Sequence, residues 1–318
     1  MTSTLDLSIV IVSYNVKERL RACLNSVRAA GDEAGLSVET LVVDNASADG
    51  SADMVEADFS EVAVVRNKVN EGYGAACNSG AAASTGSVLL FLNADVELKQ
   101  GSVRELWDVV QGKGRVGLAG PMLVGPEGDR QNSVRRFPSP GVWLLDGTIF
   151  ERWLPARILL SGYKPGHRSG LAARVDWVEG ACLAVRRDAF EVVGGFDERY
   201  FMYCEELDLS RRLRDADWLR LYVPAAVAVH HGGESAGQFP ARSRALFLRS
   251  KVQFAERTWG AGTARAAAAF YAVALALELT LELGKLLLPV GDRSGQTRSA
   301  RTLWKALGMF IRSVKPDA

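Results

Sequence analysis

Leu89-Leu90-Phe91-Leu92-Asn93-Ala94-Asp95 is a short apolar run that ends in a carboxylate. Such a run predicts a buried strand whose last residues deliver polar groups to a surface crevice. Three similar runs precede it, Leu7–Val12, Val38–Val43 and Val62–Val65, and stretches of helical period separate them. That alternation predicts right-handed βαβ units, hence an α/β fold with a mostly parallel central sheet flanked by helices. Ligands of such sheets collect at the carboxyl ends of the strands. Every run here exits into polar residues: Ser13-Tyr14-Asn15, Asp44-Asn45-Ala46-Ser47, Arg66-Asn67-Lys68-Val69-Asn70 and Asn93-Ala94-Asp95. One crevice is expected to gather all four.

Beyond Pro121 the rhythm gives way to Gly, Pro, Arg and Trp-rich sequence as far as Arg174, the composition of irregular loops or a lid. A second ordered block runs from Val175 to Val229, and after His230 the chain turns helical and Ala-rich. The 318 residues are 48% hydrophobic and 24% charged, the balance of an ordinary globular protein with one main domain and an appendage. A net charge of +1 excludes the global basic field of a nucleic-acid binder. Four dispersed cysteines without a CxxC pair suggest neither a zinc knuckle nor a redox motif, and fit a reducing cytosol. The first residues do not read as a secretory signal.

Four segments carry chemistry. Asp44 at a strand end can accept the imide N–H of a uracil or thymine ring, with Asn45 and Ser47 serving its other edges; alternatively Asp44 or Ser47 caps the following helix. The segment Asn70-Glu71-Gly72-Tyr73-Gly74 opens a helix of small residues and allows a backbone to approach a nucleotide closely. Asp95 offers a hard oxygen to Mg2+ or Mn2+, ions that draw their remaining ligands from phosphates and water; a turn-forming Asp is the competing reading. Glu205 and Glu206 begin a helix behind an aromatic loop, where burial would raise a carboxylate's proton affinity and suit a general base. First-turn acidity facing a helix dipole explains such a pair equally simply. Finally, His230 and His231 follow a strand and precede two glycines, a place for a metal or phosphate ligand.

Taken in order, SIVIVSYN, VVDNAS, NEGYGAACN, LLFLNADV, the block from Trp177 to Arg214 and VHHGGES resemble family-2 glycosyltransferases of the GT-A fold, in particular a bacterial rhamnosyltransferase-like branch. The resemblance covers about residues 7 to 235. It implies a GT-A catalytic domain over 1–240, with 1–120 binding the nucleotide and 121–240 the acceptor, followed by a helical region over 241–318. It also implies an inverting, metal-dependent hexosyltransferase that uses a nucleoside-diphosphate sugar. dTDP-L-rhamnose is the leading donor and UDP-sugars come next, with a cell-surface or lipid-linked glycan as acceptor. Ser13, Tyr14, Asn15, Asp44, Asn45, Asn70, Gly72, Asn93, Ala94 and Asp95 would surround the nucleotide. Asp95 and His230 would hold the cation, Glu206 beside Glu205 would act as base, and Trp177, Glu179, Gly180 and Asp197 would line the sugar and acceptor side. The family's Asp-x-Asp reads Asn93-Ala94-Asp95 here, and its usual Asp at the base position is Glu206.

In the C-terminal region, Ala266–Leu277 is an apolar run too short to span a bilayer, and Glu278, Glu282 and Lys285 follow it on one helix face. Leu303, Leu307, Phe310 and Val314 form an apolar stripe, with Arg298, Arg301, Lys305 and Arg312 largely on other faces. This basic amphipathic helix is expected to lie on an anionic membrane, placing the protein at the inner face of the cell membrane, or to pack on the catalytic domain or a second subunit. Two rival functions remain. A sugar-phosphate nucleotidyltransferase would need a Gly-rich loop with Arg and Lys after the first strand, where Ser-Tyr-Asn stands. A catalytically weak homologue acting as a glycan-binding or scaffold protein draws its support from Asn93 and Glu206.

Overall fold

The structure, a computed structural model, describes residues 5–112, 114–153, 171–233, 237–286 and 293–314. Strands β1 (Leu7–Ser13), β2 (Val38–Asp44), β3 (Ala63–Arg66) and β4 (Val88–Asn93) form at the four apolar runs. They pair in the order β3-β2-β1-β4, all parallel. Alternate residues are buried on opposite faces. Ile9, Ile11, Leu90 and Leu92 pack with Leu20, Leu24 and Val27 of the helix Lys17–Ala34, while Val10, Leu89 and Phe91 pack with Ala76 and Cys77 of the helix Tyr73–Ala82. Burial on both faces is why β1 and β4 read as continuously apolar.

The remaining strands are β5 (Val96–Leu98), β6 (Val116–Val124), β7 (Val134–Arg135), β8 (Ala173–Arg174), β9 (Trp177–Val178), β10 (Cys182–Arg186) and β11 (Leu219–His230). Past β4 the sheet is mixed: β10 inserts antiparallel between β4 and β6, and β11 runs parallel to β6 but antiparallel to β5 and β8. A strand returning from a long irregular segment needs no crossover helix, so it is free to enter antiparallel. β7 and β9 make a separate two-stranded ladder.

Two registers set the crevice. β10 pairs Cys182 with Leu92, and the Asn93 N–H donates to the Ala181 carbonyl at 3.0 Å, which brings residues 179–181 beside the end of β4. β11 pairs His230 with Val96, and the His231 N–H donates to the Asp95 carbonyl at 3.1 Å. Histidine and aspartate, remote in sequence, become neighbours through this pairing.

The described residues fall into two compact units: one formed by 5–137, 171–201 and 205–233, which holds the whole sheet, the other by the described parts of 138–161, 202–204 and 236–318. In the second unit the helices Pro140–Leu145, Pro240–Trp259, Ala261–Leu286 and Arg293–Ser313 surround Trp143, Phe254, Tyr271 and Phe310. The helix around the Ala266–Leu277 run extends to 26 residues and, by length and composition alone, is long and apolar enough to cross a membrane. Here Ala264, Ala267, Tyr271 and Ala274 are its buried side. The stripe that begins at Leu303 also turns inward. Phe310 is fully buried with its ring 6.4 Å from Tyr271, and Leu303, Leu307 and Val314 are partly covered. Packing inside the helical unit occupies the stripe, so it is not the surface that a membrane would meet.

Candidate active site

Asp44 is buried at the carboxyl end of β2. Its Oδ2 accepts the Ser47 amide at 3.1 Å, while Oδ1 has no protein partner, and neither has the buried Ser13 Oγ at the end of β1. The following helix begins at Ser51, whose N–H donates to Asp49 Oδ1 at 3.0 Å, so neither Asp44 nor Ser47 is its cap. A buried acceptor without a donor is costly, and the N–H of a bound base is the kind of group that would satisfy it.

Tyr14 is half-buried just past β1. Asn15 sits at φ 54°, donates its N–H to Ser47 Oγ at 3.0 Å and accepts the Ala48 N–H on Oδ1 at 2.7 Å, tying two strand exits together. Asn45 is committed internally as well. Its Nδ2 donates to Asn70 Oδ1 and to the Gly72 carbonyl, both at 3.1 Å, and its Oδ1 accepts from Asn67 Nδ2 and the Glu71 N–H at the same distance. Asn45 and Asn70 thus shape the 67–72 loop. Gly72 has φ 93°, and a Cβ there would collide with the Phe201 carbonyl oxygen, which instead accepts the Tyr73 N–H at 2.9 Å. Close approach of the 201 loop explains this glycine without a nucleotide.

At the end of β4, Asn93 is half-buried, Ala94 is buried behind it, and Asp95 Oδ1 lies 3.7 Å from His230 Nε2. Ligands about 2.1 Å from one cation lie at most about 4.2 Å apart, so this pair can share an ion. The tautomer fits too. Gln131 Nε2 donates to the His230 carbonyl at 2.8 Å, which turns Gln131 Oε1 toward His230 Nδ1 at 3.0 Å. An oxygen there makes Nδ1 the protonated nitrogen and leaves the lone pair on Nε2, a buried atom with no hydrogen-bond partner. His231 is engaged elsewhere, its Nε2 lying 2.7 Å from Glu97. Among the described residues no three acidic, His or Cys side chains cluster as a closed metal site. Two protein ligands with an open remainder suit a cation that also binds phosphate oxygens.

The helix Glu205–Asp215 packs against β9. Tyr203 and Cys204, immediately before it, are held at φ 71° and 69°, a strained entry for non-glycine residues. Glu205 is buried and Glu206 half-buried, and each has a buried Oε2 with no partner. Burial raises the proton affinity of both. Glu206 is pushed up to about 7, with the nearby Glu179 adding to the rise, and Glu205 goes well above the usual carboxylate range, burial being reinforced by Glu206. Gly180 is open enough that even a Cβ there would lie 3.5 Å from the Glu206 side chain. Glu179 pairs with Arg135 Nη2 at 2.7 Å, and that guanidinium lies 5.8 Å from the centroid of Trp177, whose Nε1 donates to the Arg136 carbonyl at 3.0 Å. Trp177, Glu179, Gly180 and Glu206 therefore form one patch. Asp197 is bound to Arg199 at 2.7 Å in its own tight turn.

Gln131 and Arg135 escaped the sequence reading because they lie in the irregular segment, Gln131 on no element and Arg135 on the two-residue β7, too short to leave a period. A turn at Gly125–Asp129 folds Gln131 back so that its N–H donates to the Leu123 carbonyl at 3.0 Å, beside β11. The buried Asp208–Arg212 pair, 2.7 Å apart, was also missed; Arg212 Nη1 ties the Val193 and Gly195 carbonyls to the acidic helix. Its i, i+4 spacing was the available signal.

Residues 8–193 match the model of Glycosyl transferase family 2. The chain is similar to an N-acetylglucosaminyl-diphospho-decaprenol L-rhamnosyltransferase of Mycobacterium tuberculosis, 33% identical over 260 residues that cover 78% of this chain and 83% of the relative. Its fold is similar to that of GalNAc-T7 solved with UDP, GalNAc and Mn2+ (TM-score 0.59, 19% identity, 99% of this chain and 57% of the other). It is also similar to that of the mannosyltransferase PcManGT from Pyrobaculum calidifontis in complex with GDP-Man and Mn2+ (TM-score 0.56, 16% identity, 99% and 89%). Such likeness shows the fold, and it is the GT-A fold that the motifs implied.

Proposed function

This chain belongs to glycosyl transferase family 2, and from that premise we propose that it is an inverting L-rhamnosyltransferase acting on a lipid-linked glycan at the cytoplasmic membrane surface. The observation that carries this reading is a set of buried polar atoms without protein partners: Ser13 Oγ, Asp44 Oδ1, His230 Nε2 and Glu206 Oε2. A folded protein rarely leaves such atoms bare: ordered water or a ligand completes them, and four of them, three at strand ends and one at the start of the acidic helix, suit a ligand.

In this reading Asp44 and Ser13 receive the nucleobase, and Tyr14 lies beside it. Asp95 and His230 would hold Mg2+ or Mn2+, which when bound supplies positive charge against the diphosphate that departs. Trp177 and Gly180 seat the sugar and acceptor. Glu206 removes the proton of the acceptor hydroxyl, which attacks the anomeric carbon from the face opposite the diphosphate, so configuration inverts. The longer Glu at this position reaches the cleft from a helix start that the Asp208–Arg212 pair fixes. The donor assignment, dTDP-L-rhamnose before UDP-sugars, rests on the named relative.

The test is release of nucleoside diphosphate from dTDP-L-rhamnose with a polyprenyl-diphosphate-linked acceptor, with and without Mn2+, for the native chain and Glu206→Gln. Metal-stimulated turnover that Glu206→Gln removes is the expected result. Donor binding that is indifferent to metal and never leads to turnover would instead support the non-catalytic glycan-binding reading.

A further inference from the structure

The solvent face of the helix Arg293–Ser313 is basic along its length. This helix carries five cations, Arg293, Arg298, Arg301, Lys305 and Arg312, and no acidic residue. At 100° per residue, Arg298, Arg301, Lys305 and Arg312 fall within about 60° of arc, diametrically opposite the packed residues Leu303, Leu307 and Phe310. Arg298, Arg301 and Lys305 line one groove together with Ser294, Thr297 and Thr302. Among the described residues none of these three cations has an ion-pair partner. Like charges at i, i+3 and i, i+4 repel, so an uncompensated row of them calls for an anion from outside.

The flanks of the row are apolar. Trp304 is 68% exposed and Ile311, seven residues on and on the same side, 40%; Met309 borders the other side at 37%. The helix Ala261–Leu286, which packs against this one, leaves Val273, Leu277 and Leu281 exposed in an i, i+4, i+8 row. The Thr297 and Thr302 hydroxyls donate to the Arg293 and Arg298 carbonyls, so the cations themselves are the groups that meet phosphate, and an exposed Trp beside them is suited to the boundary between headgroups and acyl chains.

We propose that the outer face of the Arg293–Ser313 helix, centred on Arg298, Arg301 and Lys305, is a docking surface for an anionic phospholipid membrane, with Trp304 and Ile311 entering the headgroup boundary. This rests on the reading of the protein as a membrane-surface enzyme and names the side that meets the bilayer. The apolar stripe evident in the sequence packs inward; the charged side faces the lipid.

The experiment is co-sedimentation of the full chain with vesicles of phosphatidylcholine alone or with about a third phosphatidylglycerol, at low and high salt. Each cation contributes about fivefold to partitioning, so the triple variant Arg298→Glu, Arg301→Glu, Lys305→Glu is expected to weaken binding to the anionic vesicles at least ~100-fold. Native binding is expected to fall steeply with salt and to be weak on phosphatidylcholine. Trp304→Ser should lose severalfold in affinity at either salt. Nucleoside diphosphate release with a soluble acceptor should be unchanged in the triple variant, which shows that it is folded. If the native chain ignores both vesicle types, the membrane reading itself falls. If it binds anionic vesicles and the triple variant binds equally well, the membrane reading stands and this face is not the docking surface. If a short RNA displaces the native chain from vesicles at equal phosphate concentration, the face is a general polyanion surface and the proposal fails.

Discussion

Each unit of this protein buries a charge-bearing group whose treatment differs from the other's: Glu206 in one, Lys251 in the other. In the sheet unit, Glu206 lies against Gly180 with one carboxylate oxygen unpartnered and its proton affinity raised to about 7. In the helical unit, Lys251 is wholly buried, yet its ammonium donates to the Asp146 carbonyl at 2.5 Å and to Asp146 Oδ2 at 3.0 Å. The rings of Trp143, Phe247 and Tyr271 surround it with centroids 4.5–5.4 Å away. Both groups pay for desolvation. Only Lys251 is repaid within the protein, which marks it as structural, whereas the unsatisfied carboxylate is what the proposed role of Glu206 as base would use.

The largest effect that tests this contrast is Glu206→Gln. Turnover should fall by about 10²–10⁴ while donor affinity stays within a few-fold, read as kcat against KM. The native chain's activity should rise with pH along an acidic limb centred near pH 7, because the base works deprotonated. Stability should move the other way. The folded carboxyl holds its proton up to about pH 7, while the unfolded one releases it near 4.5. Within that window the folded state binds more protons, so raising the pH erodes stability, and the variant should lose the share that Glu206 contributes while the buried Glu205 keeps its own. A variant destabilised at every pH would place Glu206 with Lys251 among structural groups.

Lys251→Met probes the other side. It leaves the Asp146 carbonyl without its donor and removes three cation–aromatic contacts. We expect about 2–4 kcal/mol of destabilisation by chemical denaturation, moderated by the partial exposure of Asp146, and unchanged metal affinity. A change under 0.5 kcal/mol would show that this cage contributes little.

Gln131 allows the same distinction within the sheet unit. Gln131→Leu should weaken Mn2+ binding about 10–100-fold by calorimetry with little change in melting temperature, since His230 loses the acceptor that fixes its tautomer. Gln131→Glu keeps an acceptor for Nδ1 and should restore affinity. Equal binding by all three would refute the positioning role.

These residues also mark how far the sequence could be read. Strands β1, β4 and the second half of β2 were legible because burial on both faces leaves an unmistakable apolar run, β3 by its β-branched residues although it is largely uncovered, and Asp95 because it ends the run of β4. The helix at Glu205 was legible through its acidic start. The mixed half of the sheet was not: β10 pairs antiparallel with β4 after an irregular segment, and no local pattern encodes where such a strand inserts. Gln131 owes its place to a turn and to the β6–β11 pairing, 99 residues from its partner. Amphipathic pattern found the Leu303–Val314 stripe but could not say what it faces, because helix neighbours and lipid both present apolar surface.

The smallest effect lies in the charges around Glu206, the proposed base. Glu179 raises the proton affinity of Glu206 and Arg135 lowers it, and the two are themselves paired at 2.7 Å, so their fields largely cancel at Glu206. Glu179→Gln leaves Arg135 unopposed, and the acidic limb should move to lower pH by less than one unit. Arg135→Gln should move it higher by a similar amount. Because burial is the leading cause of the raised value, the double variant should return close to the native profile. A double variant whose limb sat as far from native as either single change would mean that Glu179 and Arg135 act on the substrate and not on the base, and would extend the catalytic patch to β7.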